Sequence, residues 1–339
     1  MKANRRSGAA SAGASEALGR RPARGRLATV RADFFLDSGE RLSERERALM
    51  SAMLHCLIAE IAERLRAELP GQGRGGDDHE LVGALNRAGL LDEPELIALL
   101  LRRAEEERIA SAASARAGRS EARVLQGLVG NDSGPVSAAA MALILARGRR
   151  RDRFGQCLLS FDDLPARTAA TLVHRVAAAI KSDGSSTDRH LVESATKLIG
   201  AHDPEKSVET LADVLAASLA EAGALDNDLL LAAAHEGDVS LLAHLLANSA
   251  AVPGAVAEAE LLSGDPSAVV VVLRMAKVAR PVAASILAAI GDLLRVHDPA
   301  AALSEFASFK DPAAEEAHVL VTSDPAYRAA LALLEPNDG

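Results

Sequence analysis

The stretch LSGDPSAVVVVLRMAKVARP, residues 262–281, decides how the rest of the chain is interpreted. Its four consecutive valines are typical of a β-strand, but the apolar pattern continues through Leu273 and Met275 without a turn, which favours a buried helix. Asp265 at the start of this helix is either an acid with a chemical role or a helix cap. Because Asp is a preferred N-cap residue and Pro is favoured at the first helical position, we predict that Asp265 caps the helix.

The Asp-Pro pair recurs five times in the chain, and each copy precedes an apolar pattern with helical spacing. A catalytic acid is not expected in five similar copies, whereas a negatively charged cap suits the start of every helix. The stretches that begin at residues 201, 237, 264 and 297 also resemble one another. Imperfect repeats of a helix–turn–helix unit, each of roughly 25–35 residues, predict an irregular α-solenoid. The five acids are Asp203, Asp265, Asp298, Asp311 and Asp324.

The composition favours an all-α fold. The 339-residue chain is 49% hydrophobic but only 2% aromatic, so its core must consist of Leu, Ala, Val and Ile, which suits closely packed helices. We predict an N-terminal helical bundle at residues 27–117 and a region of helical repeats at residues 118–334. Residues 1–26 contain Gly, Ser, Ala and Arg without a hydrophobic period, so we predict a disordered basic arm there.

One helix of the predicted bundle is strongly amphipathic. Ser43 and Glu46 have the spacing of a capping box, in which each side chain accepts a backbone N–H of the other residue. The helix that follows carries an apolar stripe at residues 49–69, and a homodimer through this helix is one hypothesis about partners. A Gly-rich linker is expected at residues 70–79 and a second long helix at residues 94–117. The stripe consists of Leu49, Met50, Met53, Leu54, Leu57, Ile58, Ile61, Leu65 and Leu69.

Charge and hydropathy indicate a soluble cytoplasmic protein. The net charge is −9, and from residue 201 onward seven Lys and Arg accompany 21 Asp and Glu, which argues against nucleic-acid binding by that part. No run approaches the roughly 18 apolar residues of a membrane-spanning helix, and the N-terminus lacks the apolar segment of a secretory signal.

Cys56 and Cys157 lie in apolar patterns, so we expect two reduced thiols buried in helices.

No catalytic motif emerges from the sequence. The nine histidines show neither H-E-x-x-H nor another metal-binding spacing, so neither a metal site nor a cofactor is expected. The Gly-rich residues 70–79 do not follow a strand, as a dinucleotide-binding motif would require. We therefore assign no catalytic residue.

The segment ARGRRRDRF, residues 146–154, is the most unusual local feature, because it places five Arg within seven residues. Arg binds phosphate and carboxylate groups with a planar fork of N–H donors, so the segment is a candidate site for an anion or an acidic partner. The alternative is that it neutralises nearby acids such as Asp152, Asp162 and Asp163, or that it ends a helix. The candidate binding residues are Arg147, Arg149, Arg150, Arg151 and Arg153.

Five segments of the chain resemble an uncharacterised alphaproteobacterial family catalogued as domain of unknown function 2336. They are RADFFLDSGERLSERERALM (31–50), LLRRAEEERIA (100–110), ARGRRRDRFG (146–155), DDLPARTAATLVHRVAAAI (162–180) and SDPAYRAALALL (323–334). The likeness extends over roughly residues 27–334. It implies an all-helical, HEAT-like fold, and it carries over no catalytic residues.

These observations favour a non-enzymatic scaffold or regulatory adaptor that binds a protein partner on a helical-repeat surface. Two other classes stay open. One is a nucleic-acid-associated protein that uses the basic arm and the Arg cluster, and its binding would fall steeply with salt. The other is an enzyme whose site is built from scattered residues, which would require a deep pocket with convergent acids or histidines.

Overall fold

The computed structural model describes residues 42–68, 78–117, 123–182, 188–308 and 311–324, together with positions 327, 330 and 334. These residues contain fifteen α-helices and no strand longer than an isolated bridge, so the fold is all-α as predicted. The predicted basic arm, residues 1–26, lies outside the described residues. The helices are α1 Glu44–Ala67, α2 Asp78–Arg87, α3 Pro94–Ala117, α4 Arg123–Val129, α5 Gly134–Arg149, α6 Ala166–Ser182, α7 Asp188–Gly200, α8 Val208–Glu221, α9 Asn227–Glu236, α10 Val239–Ala250, α11 Gly254–Leu261, α12 Pro266–Met275, α13 Arg280–Ile290, α14 Pro299–Ser308 and α15 Asp311–Thr322.

The chain divides into two units, with the boundary after residue 47. Of the first unit the structure describes residues 42–47, which contain the predicted capping box. The Ser43 N–H donates to Oε2 of Glu46 at 2.7 Å, and the Glu46 N–H donates to Oγ of Ser43 at 3.2 Å. This reciprocal pair satisfies two backbone donors at the start of α1.

The second unit contains two apolar cores, and helix α3 contributes to both. The first core joins α1, α2, the first half of α3, α6 and α7, and the second joins the rest of α3 with α4, α5 and α8 to α14. Leu96 and Leu100 of α3 lie in the first core, whereas Ile109 and Ala113 lie in the second. The charged residues between them, 102–108, therefore lie between two apolar cores.

The apolar stripe of α1 packs within this first core. Met53, Leu57, Ile58, Ile61 and Leu65 are completely buried against the other helices of the same copy. A seam between two copies would need these same side chains, which one copy already covers. Among the described residues, no helix combines the length and the apolar character that crossing a bilayer requires.

Helix starts follow the predicted pattern of acidic caps. The Asp265 carboxylate accepts the Ser267 N–H at 2.9 Å, so the capping prediction for α12 is confirmed. Asp298 caps α14 in the same way, accepting the N–H of Ala301 at 2.9 Å. Asp203 caps only a short 3₁₀ turn, because Ser207 takes over the capping of α8.

Three local predictions were wrong. Cys56 is exposed because it lies on the outer side of α1, and Cys157, although buried, lies in an extended segment after α5. The linker predicted at residues 70–79 ends earlier, because Asp78 already begins α2 with its acidic first turn. Apolar neighbours in the sequence indicated burial for both cysteines, but a helix with one apolar stripe exposes its opposite face.

Candidate functional site, a cleft lined by arginines

The Arg cluster lies in a tight turn that follows α5. The helix ends at Arg149, and an isolated antiparallel bridge then joins Arg151 to Cys157. Asp152 closes the turn because its Oδ1 accepts two backbone N–H groups at 2.8 Å, and Gly155 takes a φ of 78°. Such a conformation suits Gly, since other residues rarely adopt positive φ.

Arg150 is the buried centre of the cluster. Its side chain is only 2% exposed, and it donates from Nε to Oδ2 of Asp163 at 2.6 Å and from Nη2 to both carboxylate oxygens of Glu209 at 2.8 and 2.9 Å. Burial opposes the charged form, but the Glu209 and Asp163 carboxylates raise the pKa of Arg150. Burial likewise opposes ionisation of Glu209, yet the Arg150 guanidinium lowers the pKa of Glu209 to about 2. The pair is therefore fully ionised at neutral pH.

Two neighbouring arginines pair with acids on other helices. Arg147 makes a bidentate contact with Asp238, with Nη2 to Oδ1 at 2.9 Å, and Asp238 also caps α10. Arg151 donates from Nη2 to Oε2 of Glu107 on α3 at 2.7 Å, and both side chains of this pair are partly exposed. The depth of burial thus decreases from Arg150 through Arg147 to Arg151.

The remaining two arginines of the cluster do not join these three. Arg149 is exposed and donates to the backbone carbonyl of Lys206 at 3.1 Å, and the Arg153 guanidinium lies 4.7 Å from the centroid of the Phe154 ring. The five residues predicted as one group therefore divide into three that line a cleft and two that lie outside it. Of the acids suggested as neutralising partners, Asp163 alone binds an arginine of the cluster among the described residues.

The cleft has a volume of about 990 Å³ and lies between α3, the start of α4, the Arg turn and the α9–α10 connection. Gly237, with a φ of 67°, makes this connection, and a Cβ there would collide with Ala113 of α3. Glu236 accepts the N–H groups of Arg123 and Val124 at 2.7 and 3.0 Å and so caps α4. These contacts hold the α9–α10 connection against α3 and against the start of α4.

The lining of the cleft contains both charge signs: α3 contributes both, the Arg turn contributes arginines and the α9–α10 connection contributes acids. Arg103, Arg123, Arg147, Arg150 and Arg151 line it together with Glu106, Glu107, Glu236 and Asp238. Four buried polar atoms of these side chains have no hydrogen-bond partner among the described residues. They are Nη1 of Arg150, Nε of Arg103, Oε1 of Glu106 and Oε2 of Glu236. A buried group in this state is destabilising by about 1–3 kcal/mol until a ligand or water satisfies it.

A second group of charged side chains adjoins the Arg150 site through Arg102. Glu258 of α11 is completely buried, and neither of its carboxylate oxygens has a hydrogen-bond partner among the described residues. The Arg102 guanidinium lies 3.6 Å from it and also 3.6 Å from Glu209. Burial and the neighbouring charge of Glu106 raise the pKa of Glu258 to about 7. We call Glu258, Arg102, His244 and Asp213 the inner charge group.

His244 of α10 completes the inner charge group. It is completely buried, and its Nδ1 lies 2.6 Å from Oδ1 of Asp213. Burial favours the neutral ring, but the bond to Asp213 and the charge of Glu258 raise the pKa of His244. Gly254 covers this pair, because a Cβ at that position would collide with both His244 and Asp213.

The sequence interpretation missed the role of α3. Its run RRAEEER, residues 102–108, supplies partners to the Arg turn, to α11 and to Arg295 after α13. The available signal was that six of these seven residues are charged although buried Leu99, Leu100 and Ile109 flank them. A charged run between buried apolar residues of one helix indicates a buried network of ion pairs.

Metal binding finds no support in the described part of the chain, where no group of three or more His, Cys, Asp or Glu side chains could hold an ion.

Comparison with known families gives one match, over residues 110–317, to a family described as an uncharacterised protein conserved in bacteria, DUF2336. The match covers more than half of the chain. The chain belongs to the DUF2336 family. No curated protein and no solved structure matches it significantly.

For this DUF2336 protein, the match includes the last third of α3, the Arg turn and α8 to α14. It therefore contains most of the cleft lining, including Arg123, Arg147, Arg150 and Arg151, whereas Glu106 and Glu107 of α3 precede it. Arg102 and Arg103 lie just before the matched residues.

Proposed function

We propose that this protein is a non-enzymatic scaffold or regulatory adaptor with HEAT-like repeats, and that it binds an acidic segment of a protein partner in the arginine-lined cleft. The observation that carries the proposal is the cleft itself, in which five arginines line a volume of about 990 Å³. Pockets of about 300–1,000 Å³ are typical of small-molecule sites, so a cleft of this volume can enclose a short segment of a partner.

The helix contacts support the repeat arrangement in this proposal. Helices α8, α10, α12 and α14 pack one after another, and each connecting helix packs on a neighbour. Successive packing of helices by sequence order is typical of repeat proteins, whose grooves bind extended partners.

The length of the cleft also suits a peptide segment. The cleft wall on α3 extends from Arg103 to Ser114, a rise of about 16 Å at about 1.5 Å per residue. An extended chain of about five residues spans that distance at roughly 3.3 Å per residue. Arg151 contacts Glu107, about 6 Å along α3 from Arg103, and Arg123 is bound by Glu236, whose neighbour Gly237 lies against Ala113 near the other end.

The test uses full-length protein as bait in native cells, with two charge-matched variants. Arg123→Glu/Arg151→Glu reverses two arginines of the cleft, whereas Arg149→Glu/Arg153→Glu reverses two exposed arginines outside it. We expect a partner that wild type and the second variant retain and the first variant loses, and that binds directly once purified. Failure of wild type to retain any protein, or equal retention by both variants, contradicts the proposal.

A further inference from the structure

We propose that the end of the cleft formed by Arg150 and Arg151, beside Arg147, binds a phosphoryl group carried by a side chain of the partner. This inference rests on the proposed function and specifies the chemistry that the cleft recognises. It starts from Arg150, which is among the residues that line the cleft although its side chain is 98% buried, and whose buried Nη1 has no partner among the described residues.

Arg150 is a fixed donor. Asp163 holds its Nε and Glu209 holds its Nη2, so the guanidinium plane cannot rotate without breaking three hydrogen bonds. The remaining Nη1 group is thereby held in one orientation before any ligand arrives. A donor held in advance loses little conformational entropy on binding, which strengthens recognition of an anion.

Arg151 supplies an adjustable donor at the rim. Its pair with Glu107 and its hydrogen bond from Nη1 to the Gly155 carbonyl at 2.9 Å are both exposed to solvent, where a pair contributes only about 0–1 kcal/mol, so Arg151 can turn to a ligand at small cost. Arg147 stays bound to Asp238, which it contacts with two nitrogens, and adds positive charge beside the ligand. One end of the cleft thus combines a fixed donor with a mobile one.

The acids of the cleft restrict the ligand to a compact anion. Glu107 and Asp238 are bound by arginines, and Glu236 accepts two backbone N–H groups. Glu106 pairs with Arg103 through Oε2, and its Oε1 has no partner among the described residues. A polynucleotide presents a continuous line of phosphates and would meet these carboxylates along the cleft, which opposes its binding. At the Arg150 end, Glu107 and Asp238 are already paired with Arg151 and Arg147, so a single compact anion meets less repulsion there than a line of phosphates would.

The number of donors favours a phosphoryl group over a carboxylate. One arginine fork already satisfies the two oxygens of a carboxylate, as Arg147 does for Asp238. A phosphoryl group carries nearly two negative charges at pH 7 and three acceptor oxygens, so it can use both Arg150 and Arg151. The rest of the cleft then accommodates the residues that flank the modified side chain.

The binding test is calorimetric titration of the full-length protein with inorganic phosphate, with N-acetyl-phosphoserine amide and with N-acetyl-aspartate amide. We expect both phosphoryl compounds to bind with a dissociation constant of about 1 mM or below and the carboxylate to bind about tenfold more weakly. Arg151→Gln should weaken phosphate binding about tenfold. Arg149→Gln, which removes an equal charge outside the cleft, should leave it within about twofold.

Arg150→Lys tests the fixed donor, because it keeps the positive charge but removes the fork. Circular dichroism and urea unfolding establish whether this variant is folded, and the Arg151→Gln result stands independently if it is not. Absence of phosphate binding by wild type, or equal weakening by Arg149→Gln and Arg151→Gln, overturns the inference. Stronger binding of the carboxylate than of the phosphoryl compounds overturns it as well.

A second experiment distinguishes failure of this inference from failure of the proposed function. The captured partner is treated with phosphatase before it is bound again to the purified protein. Loss of binding supports a phosphoryl group on the partner, whereas unchanged binding overturns the inference and leaves the adaptor proposal intact. If no partner is captured but inorganic phosphate binds at Arg151, the phosphoryl group comes from a small molecule, and both the adaptor proposal and the partner-borne source are overturned.

Discussion

The Arg150 site and the inner charge group contain side chains that are equally buried but differently paired. Arg150 is 2% exposed and donates three hydrogen bonds to two carboxylates, whereas Glu258 is 0% exposed and its oxygens accept none among the described residues. Arg102 connects the two regions, because it lies 3.6 Å from both Glu209 and Glu258. Burial alone therefore does not determine the state of a charge in this protein.

The difference lies in the geometry of the partners. A guanidinium bound through Nε and Nη2 recovers in hydrogen bonds much of the solvation that it lost. Glu258 has a cation nearby but no donor at bonding distance, so burial dominates and raises its pKa to about 7. One region is thus permanently charged, and the other titrates near neutral pH.

The largest expected effect comes from removing the guanidinium at the fixed site. Arg150→Met leaves Asp163 and Glu209 without their partner in a buried position, and we expect a loss of about 3–5 kcal/mol in the free energy of unfolding. Urea denaturation followed by circular dichroism measures it. Arg149→Met is the matched control, because Arg149 is exposed, and its effect should stay within about 0.5 kcal/mol. A loss below about 1 kcal/mol for Arg150→Met would show that these contacts contribute little.

The same contrast explains which features could be predicted from the sequence. Caps such as Asp265 and the boundaries of α3 depend on residues close together in the chain, so local rules predict them. The pairing of Arg150 with Glu209 connects residues 59 positions apart, and no local pattern encodes it. The cluster itself was visible in the sequence, but its division into cleft-lining and outer arginines depends on how α5 meets α3 and α8.

The next largest loss of stability is expected at Gly254, which packs directly against His244 and Asp213 of the inner charge group. Gly254→Ala places a methyl group against His244 and Asp213, and we expect a loss of about 1–3 kcal/mol because a packed interior cannot absorb the added volume. Gly127→Ala is the control, since nothing lies within 4 Å of a Cβ there. That change should be neutral or stabilising by about 0.5–1 kcal/mol because Ala favours the helix. Equal effects of the two changes in thermal or urea unfolding would contradict the close approach.

A pH series distinguishes the titrating region from the fixed one. The pKa of Glu258 is raised from 4.5 to about 7 in the folded protein, so its contribution to stability is fully present below pH 4.5 and is lost as the pH rises through 7. Glu258→Gln removes this dependence. We expect wild type to lose about 1–3 kcal/mol relative to the variant between pH 5 and pH 8. Parallel stability curves over that range would show that Glu258 is ionised throughout.

His244 adds to the same trend, and its contribution is smaller in Glu258→Gln than in wild type. Its pKa is also raised, so it too stabilises the folded protein at lower pH and loses that effect as the pH rises. The ring titrates in both wild type and Glu258→Gln, although the loss of the Glu258 charge reduces its shift. Arg102, Glu106 and Glu209 are the other charged groups that act on Glu258.

The smallest effect is expected at the exposed edge of the Arg turn. Arg151→Gln removes a pair whose side chains are 49% and 23% exposed, so the free energy of unfolding should fall by less than about 1 kcal/mol. Water and salt screen this pair, and the difference should vanish in about 1 M NaCl, whereas the Arg150→Met loss should persist. Unfolding curves of both variants at low and high salt measure this. If the Arg151→Gln effect also persisted in salt, depth of burial would not explain why the Arg150 contacts stabilise the protein more than the Arg151–Glu107 pair does.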